Sequence, residues 1–200
     1  MRRPAADEKA WGGRLPRVES TELDPEQQAA AAQLRDWADS FGFAATDAAG
    51  GLIGPFIATV LRPRPGLAFQ QWVASDYHGS CLSRATREVA ILTVGAHWKC
   101  DYETYAHVVF ARSVGLSEAT IRSLLAGNTD ALEGTHELTH RFTTELLTTH
   151  RISDATYDQA LHAFGRDGVI DLVHLVAMYV AQAVMLNAFD TPAPRLDLQA

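Results

Sequence analysis

The chain has 200 residues, 47% hydrophobic and 20% charged, so it is long enough to bury a core and too apolar for wholesale disorder. Its formal net charge of -7, with no basic run, argues against nucleic acid and anionic membrane as partners. Two cysteines, Cys81 and Cys100, are too few for a disulfide framework and suit a reducing cytoplasm.

The opening Met1-Arg2-Arg3-Pro4 lacks the apolar stretch of a secretory signal. Residues 1–22 mix Pro, Gly, Arg and Glu without apolar periodicity and predict an extended arm, suited to wrapping a neighbouring subunit. Residues 23–195 then read as a single domain. Asp24-Pro25-Glu26 has the capping carboxylate, first-turn proline and early acid of a helix start, and Leu34, Trp37, Ala38 and Phe41 supply its apolar stripe. Gly42 and the Gly50-Gly51 pair are expected to end it in a loop. A short helix over 55–61 follows, and Pro65 opens another that runs to about Tyr77.

Three further helix starts share one pattern: Leu82-Ser83-Arg84, Leu116-Ser117-Glu118 and Ile152-Ser153-Asp154. In each, the serine hydroxyl can accept from a free amide of the first turn while the preceding aliphatic packs back against the helix. Gly115, Gly127, Gly165 and Gly168 fall where helices should stop or turn. The apolar run from Val169 to Phe189 contains Asp171, His174, Gln182 and Asn187, which suits a core or interface helix better than a membrane span. No segment alternates as a strand does. The expected fold is all-α, with seven or eight helices.

The helix predicted from Arg84 to about Trp98 contains a misplaced acid. Glu88 shares its face with Ile91, Leu92 and Gly95, so it is expected to enter the core and to need a partner or a proton. On the following helix, Cys100, Glu103 and His107 recur at i, i+3 and i+7 and form one stripe. A thiol, a carboxyl group and an imidazole on one face can share a proton network. The same residues are also compatible with a small buried thiol and a surface Glu–His pair.

The run Arg87-Glu88-Val89-Ala90-Ile91-Leu92, then His97-Trp98-Lys99-Cys100-Asp101-Tyr102-Glu103, then His107, resembles the carboxymuconolactone decarboxylase / AhpD-like superfamily. The likeness extends over roughly residues 52–192 and takes in Gly54-Pro55-Phe56, Gly115-Leu116-Ser117 and Leu186-Asn187-Ala188-Phe189. It implies an AhpD-like helical bundle assembled as a homo-oligomer, whether dimer, trimer or hexamer. The AhpD branch uses a cysteine pair; here Glu103 stands where the second cysteine belongs, so no internal disulfide cycle can run. The decarboxylase branch works on a carboxylated lactone without metal or organic cofactor.

The resemblance therefore implies a cofactor-free lyase or isomerase acting on a small lactone or carboxylic acid. His107 would be the acid/base, Glu88 its orienting partner and Glu103 a second proton carrier, with Cys100 lining the site. Trp98 and Tyr102 are the expected substrate-binding residues, and Tyr179 is a further aromatic that could line a pocket. Arg84 and Arg87 are candidate cations, although arginines at a helix start are normally solvated. One alternative is a thiol peroxidase working through Cys100 with an external thiol; another is a non-catalytic small-molecule-binding oligomer.

His136-Glu137-Leu138-Thr139-His140 spells the zinc-protease motif HExxH, but neither a preceding strand nor a third ligand accompanies it. A metal on Cys100, Glu103 and His107 is conceivable by ligand type, yet the resemblance calls for none. In the resembling family the HExxH segment is a largely exposed helix. Asp171 and His174, three apart, could form a buried pair at a pocket or interface, although such a histidine is more often a satisfied core residue, and Cys81 reads as structural.

Overall fold

The computed structural model describes residues 13–16, 18, 22–40, 45–47 and 50–193. Among these there are eight helices, one isolated bridge between Thr46 and Leu52, and no strand. The all-α expectation holds. The helices are α1 (Pro25–Ser40), α2 (Pro55–Leu61), α3 (Pro63–Gly79), α4 (Arg84–Trp98), α5 (Asp101–Ser113), α6 (Glu118–Ala126), α7 (Gly134–Thr149) and α8 (Asp154–Ala188).

The described residues divide into two compact units, one made of those up to Ala74 together with 185–193, the other of Ser75–Val184. In the first, α1 starts on a reciprocal cap: Asp24 Oδ1 accepts from the Gln27 amide at 2.9 Å, and Gln27 Oε1 accepts from the Asp24 amide at 3.1 Å. Leu34 and Ala38 of α1 pack with Phe56, Ile57 and Val60 of α2. Most of the expected arm, namely 1–12, 17 and 19–21, lies outside the described residues, as do Phe41 and Gly42. Val18, from that arm, is buried in this core, and the Arg14 amide bonds to the Phe189 carbonyl at 2.7 Å. Helix α3 opens at Pro63 rather than Pro65, because both prolines fall in a first turn whose amides need no partner.

The second unit is built around α4, which is buried continuously from Thr86 to Gly95 and has α5, α6 and α7 packed on it. Val89 and Leu92 form a core with Val108, Ala111, Ile121 and Leu124. The three predicted serine caps all form: Ser83 accepts from Thr86 and Ser117 from Thr120 at 3.0 Å, and Ser153 from Thr156 at 3.4 Å. Gly165, at φ 69 and ψ 174, breaks the helical path within α8, a conformation a side chain would strain. Gly168 is a correction: it lies inside the helical run, where its bare Cα faces Leu82 and Cys81. By length and composition α8 could cross a membrane, but nearly half of its apolar window is buried against the protein.

Candidate active site

The corner between α4 and α5 is very short. Lys99 takes a left-handed φ of 50, and Cys100 is the N-cap of α5 rather than part of the helix. The Cys100 amide bonds back to the Gly95 carbonyl at 2.9 Å. The chain therefore reverses within two residues, and α5 returns antiparallel along α4. Glu103 and Thr104 come to lie beside Gly95, and one turn later His107 reaches Glu88.

His107 Nδ1 and Glu88 Oε2 are 2.8 Å apart, with both side chains largely buried. A carboxylate only accepts, so Nδ1 bears the hydrogen and Nε2 is the nitrogen available to a substrate. The ring is fixed on its faces as well. Tyr179 of α8 meets it edge-on at 4.9 Å between centroids, and Phe110 lies tilted at 5.6 Å. Burial, and then the charge of Glu88, raise the Tyr179 phenol well above its ordinary range, so it remains a hydroxyl donor.

Glu103 is 2% exposed and neither carboxyl oxygen has a hydrogen-bond partner. Burial raises it well above the ordinary carboxyl range, so it is held as the neutral acid. Gly95 makes the space: a Cβ there would meet Thr104 Cγ2 at 3.0 Å and Glu103 Oε1 at 3.4 Å. This has a measurable consequence for stability. The folded protein keeps a proton that the unfolded chain releases near pH 4.5, so the Glu103 contribution is complete below that pH. It is lost as the pH rises through the higher folded value. Urea unfolding of the wild type is expected to weaken with rising pH relative to Glu103→Gln; parallel profiles for the two chains would contradict a neutral buried Glu103.

Cys100 is 1% exposed, and burial above all pushes its thiol up to about 12. Of the two residues expected to bind substrate, Tyr102 is buried with an unpartnered hydroxyl, while Trp98 is 37% exposed. Trp98 is ten residues beyond Glu88, or about 15 Å along the helix. The stripe thus has two ends, with Cys100 and Glu103 beside Gly95, and His107 with Glu88 and Tyr179.

Arg87 departs from the expectation of a solvated helix start. It is buried, and its Nη2 lies 2.6 Å from Asp76 Oδ2. Arg84 does remain exposed, with its guanidinium 3.5 Å from the centre of the Tyr77 ring. Asp171 accepts from the Cys81 amide at 2.8 Å, and His174 is exposed and not the core residue that was the commoner expectation.

The HExxH segment, on α7, is less exposed than expected, with Leu138, Thr139 and His140 buried. The Thr93 hydroxyl donates to the Val89 carbonyl at 2.7 Å and therefore accepts from His140 Nδ1 at 2.9 Å. Burial lowers His140 and keeps it neutral. Glu137 pairs with Arg141 at 3.1 Å. Among the described residues, no three His, Cys, Asp or Glu side chains are grouped as a metal ion would need.

Asp76 carried no signal in the sequence, since its pairing depends on how the end of α3 meets α4. Tyr179 was visible only as an aromatic on an apolar helix.

Residues 67–140 match the model of the carboxymuconolactone decarboxylase family. Among solved structures, the chain resembles the alkylhydroperoxidase AhpD core of an uncharacterized peroxidase-related protein from Ralstonia eutropha JMP134, with a TM-score of 0.69 and 18% identity over 88% of each chain. It also resembles an uncharacterized peroxidase-related protein from Silicibacter sp. TM1040, with a TM-score of 0.71 and 17% identity over 96% of this chain and 94% of that one. No curated protein matches it.

Proposed function

We propose that this chain, whose residues 67–140 match the carboxymuconolactone decarboxylase family model, is a cofactor-free acid/base enzyme of that superfamily that moves a proton at carbon beside a carbonyl group. The observation that carries this reading is the buried 2.8 Å contact between His107 Nδ1 and Glu88. His107 Nε2 removes the proton, and the C–H electron pair passes into an enolate. The neutral Glu103 donates a hydrogen bond to the enolate oxygen, as an acid kept protonated by an apolar site can. Glu88 holds the imidazolium, which returns the proton to the same carbon or to a conjugated one. The enzyme is accordingly an isomerase or a lyase on small lactones or related carbonyl compounds, and we take it to be soluble and cytoplasmic.

A thiol peroxidase using Cys100 is the weaker reading. The names of the similar solved structures favour it, but the buried thiol, pushed up to about 12, does not. A panel of γ-lactones and cyclic ketones incubated with the protein in D2O, followed by proton NMR, separates the readings. Exchange beside the carbonyl that persists in Cys100→Ser is expected. Peroxide turnover lost in Cys100→Ser, with no exchange, would replace this proposal by the peroxidase.

The exposed apolar face of α8, with Ile170, Val173 and Val184, is in this reading the contact between copies in a homo-oligomer. Sedimentation is expected to find an oligomer that Ile170→Asp dissociates; a monomeric wild type would refute the assignment.

A further inference from the structure

Three helices meet at the dyad, and the contacts along them fix their directions. Asp171 of α8 accepts from the Cys81 amide just before α4, and Gly168 faces Leu82 and Cys81. Further along α8, Tyr179 meets His107, which in turn reaches Glu88, further along α4. Helix α8 therefore runs parallel to α4 here, and α5, which returns along α4, is antiparallel to both. A step from Tyr179 to Gln182 on α8 goes the same way as a step from His107 back to Glu103 on α5, about 4.5 and 6 Å of rise respectively. Gln182 and Glu103 thus lie at one level of the bundle, a turn away from the His107 ring.

Both residues carry polar atoms that the fold leaves over. Gln182 shares a stripe of α8 with Tyr179 and the buried Leu175 and Met178. Its Nε2 is buried, and among the described residues it has no hydrogen-bond partner; nor has either carboxyl oxygen of Glu103. A buried donor left unbonded is a net cost to folding. The two side chains do not bond to each other either, so each keeps a hydrogen to offer to a third group between them.

We propose that Gln182 is a second catalytic donor: its Nε2 and the Glu103 carboxylic acid together hold the carbonyl oxygen of a small ketone or lactone whose acidic carbon lies against His107. As His107 takes the proton, the C–H electron pair forms the enolate double bond and the carbonyl π pair moves onto the oxygen. The hydrogens of Gln182 and Glu103 stay on their donors, and their bonds to that oxygen strengthen as it gains charge. Two neutral donors suit this task because neither needs a counter-ion in an apolar place. The inference rests on the acid/base reading and adds the residue that places the substrate's oxygen.

The test uses para-nitrophenol, whose ionised form is a planar enolate mimic with its own visible absorbance, titrated into the full chain at neutral pH. The phenolate is expected to bind, and Gln182→Met, which keeps the length of the side chain and loses the donor, to bind it more weakly by about tenfold or more. Because Nε2 has no partner to lose, the same variant is expected to unfold at an equal or higher urea concentration than the wild type. The Gln182 side-chain amide protons should shift in the NMR spectrum on binding, and this measurement decides alone if the variant is destabilised or does not fold. No binding by the wild type, equal binding by Gln182→Met, or amide protons that stay in place would overturn the proposal. Proton exchange separates it from the reading it rests on. If Gln182→Met exchanges and binds as the wild type does, the donor pair fails and the acid/base enzyme stands. If the phenolate binds through Gln182 but no carbonyl compound exchanges, the pair stands and the acid/base function fails.

Discussion

His107→Ala is expected to lower the rate of proton exchange by about 10²–10⁴-fold, because it removes the group that carries the proton. Glu88→Gln should cost roughly 10²-fold while leaving the fold intact. Glutamine at position 88 can accept from Nδ1 through its oxygen or donate to it through its nitrogen, so it no longer imposes one tautomer on His107. Nitrogen-resolved NMR of His107 provides the check that rate alone cannot. In the wild type Nδ1 should carry the proton, and in Glu88→Gln both tautomers should be populated. A wild-type rate in Glu88→Gln, or an unchanged tautomer, would remove Glu88 from the mechanism. His107 also packs against Tyr179 and Phe110, so His107→Gln, which keeps more of the volume, separates loss of chemistry from loss of packing.

Asp76→Ala is expected to destabilise the protein by about 3–5 kcal/mol, since it leaves the buried Arg87 guanidinium without its carboxylate. The pair is shielded from solvent, so the loss should change little between low and high salt. Combining Arg87→Met with Asp76→Leu should recover most of it, because replacing a buried pair with apolar groups of similar volume is often neutral or stabilising. Urea unfolding of the two single variants and the double variant gives the coupling directly. Near-additive losses would mean that the 2.6 Å contact contributes little to the fold.

Local chemistry was legible in the sequence. Ser83, Ser117 and Ser153 cap because a hydroxyl three residues before an amide meets it whenever the first turn forms, whatever the rest of the chain does. The burial of Glu88 followed equally from helical period, since its neighbours Ile91 and Leu92 had to face a core. The resemblance over 84–107 then pointed to Glu88 and His107, whose side chains meet at 2.8 Å.

Pairings between helices were not legible. Sequence placed Cys100, Glu103 and His107 on one stripe, but the left-handed Lys99 makes Cys100 a cap and brings Glu103 to Gly95 and His107 to Glu88. Arg87 sits at a helix start, where arginines are normally solvated, and only the way the end of α3 meets α4 put Asp76 against it. The same limit applied to Asp171, which accepts from the Cys81 amide, and to His140, whose place in HExxH gave no hint of Thr93. A helix's own residues fix its period and its ends. Which charged or polar side chain meets which across helices depends on rotation and register, and these are set by packing of the whole core.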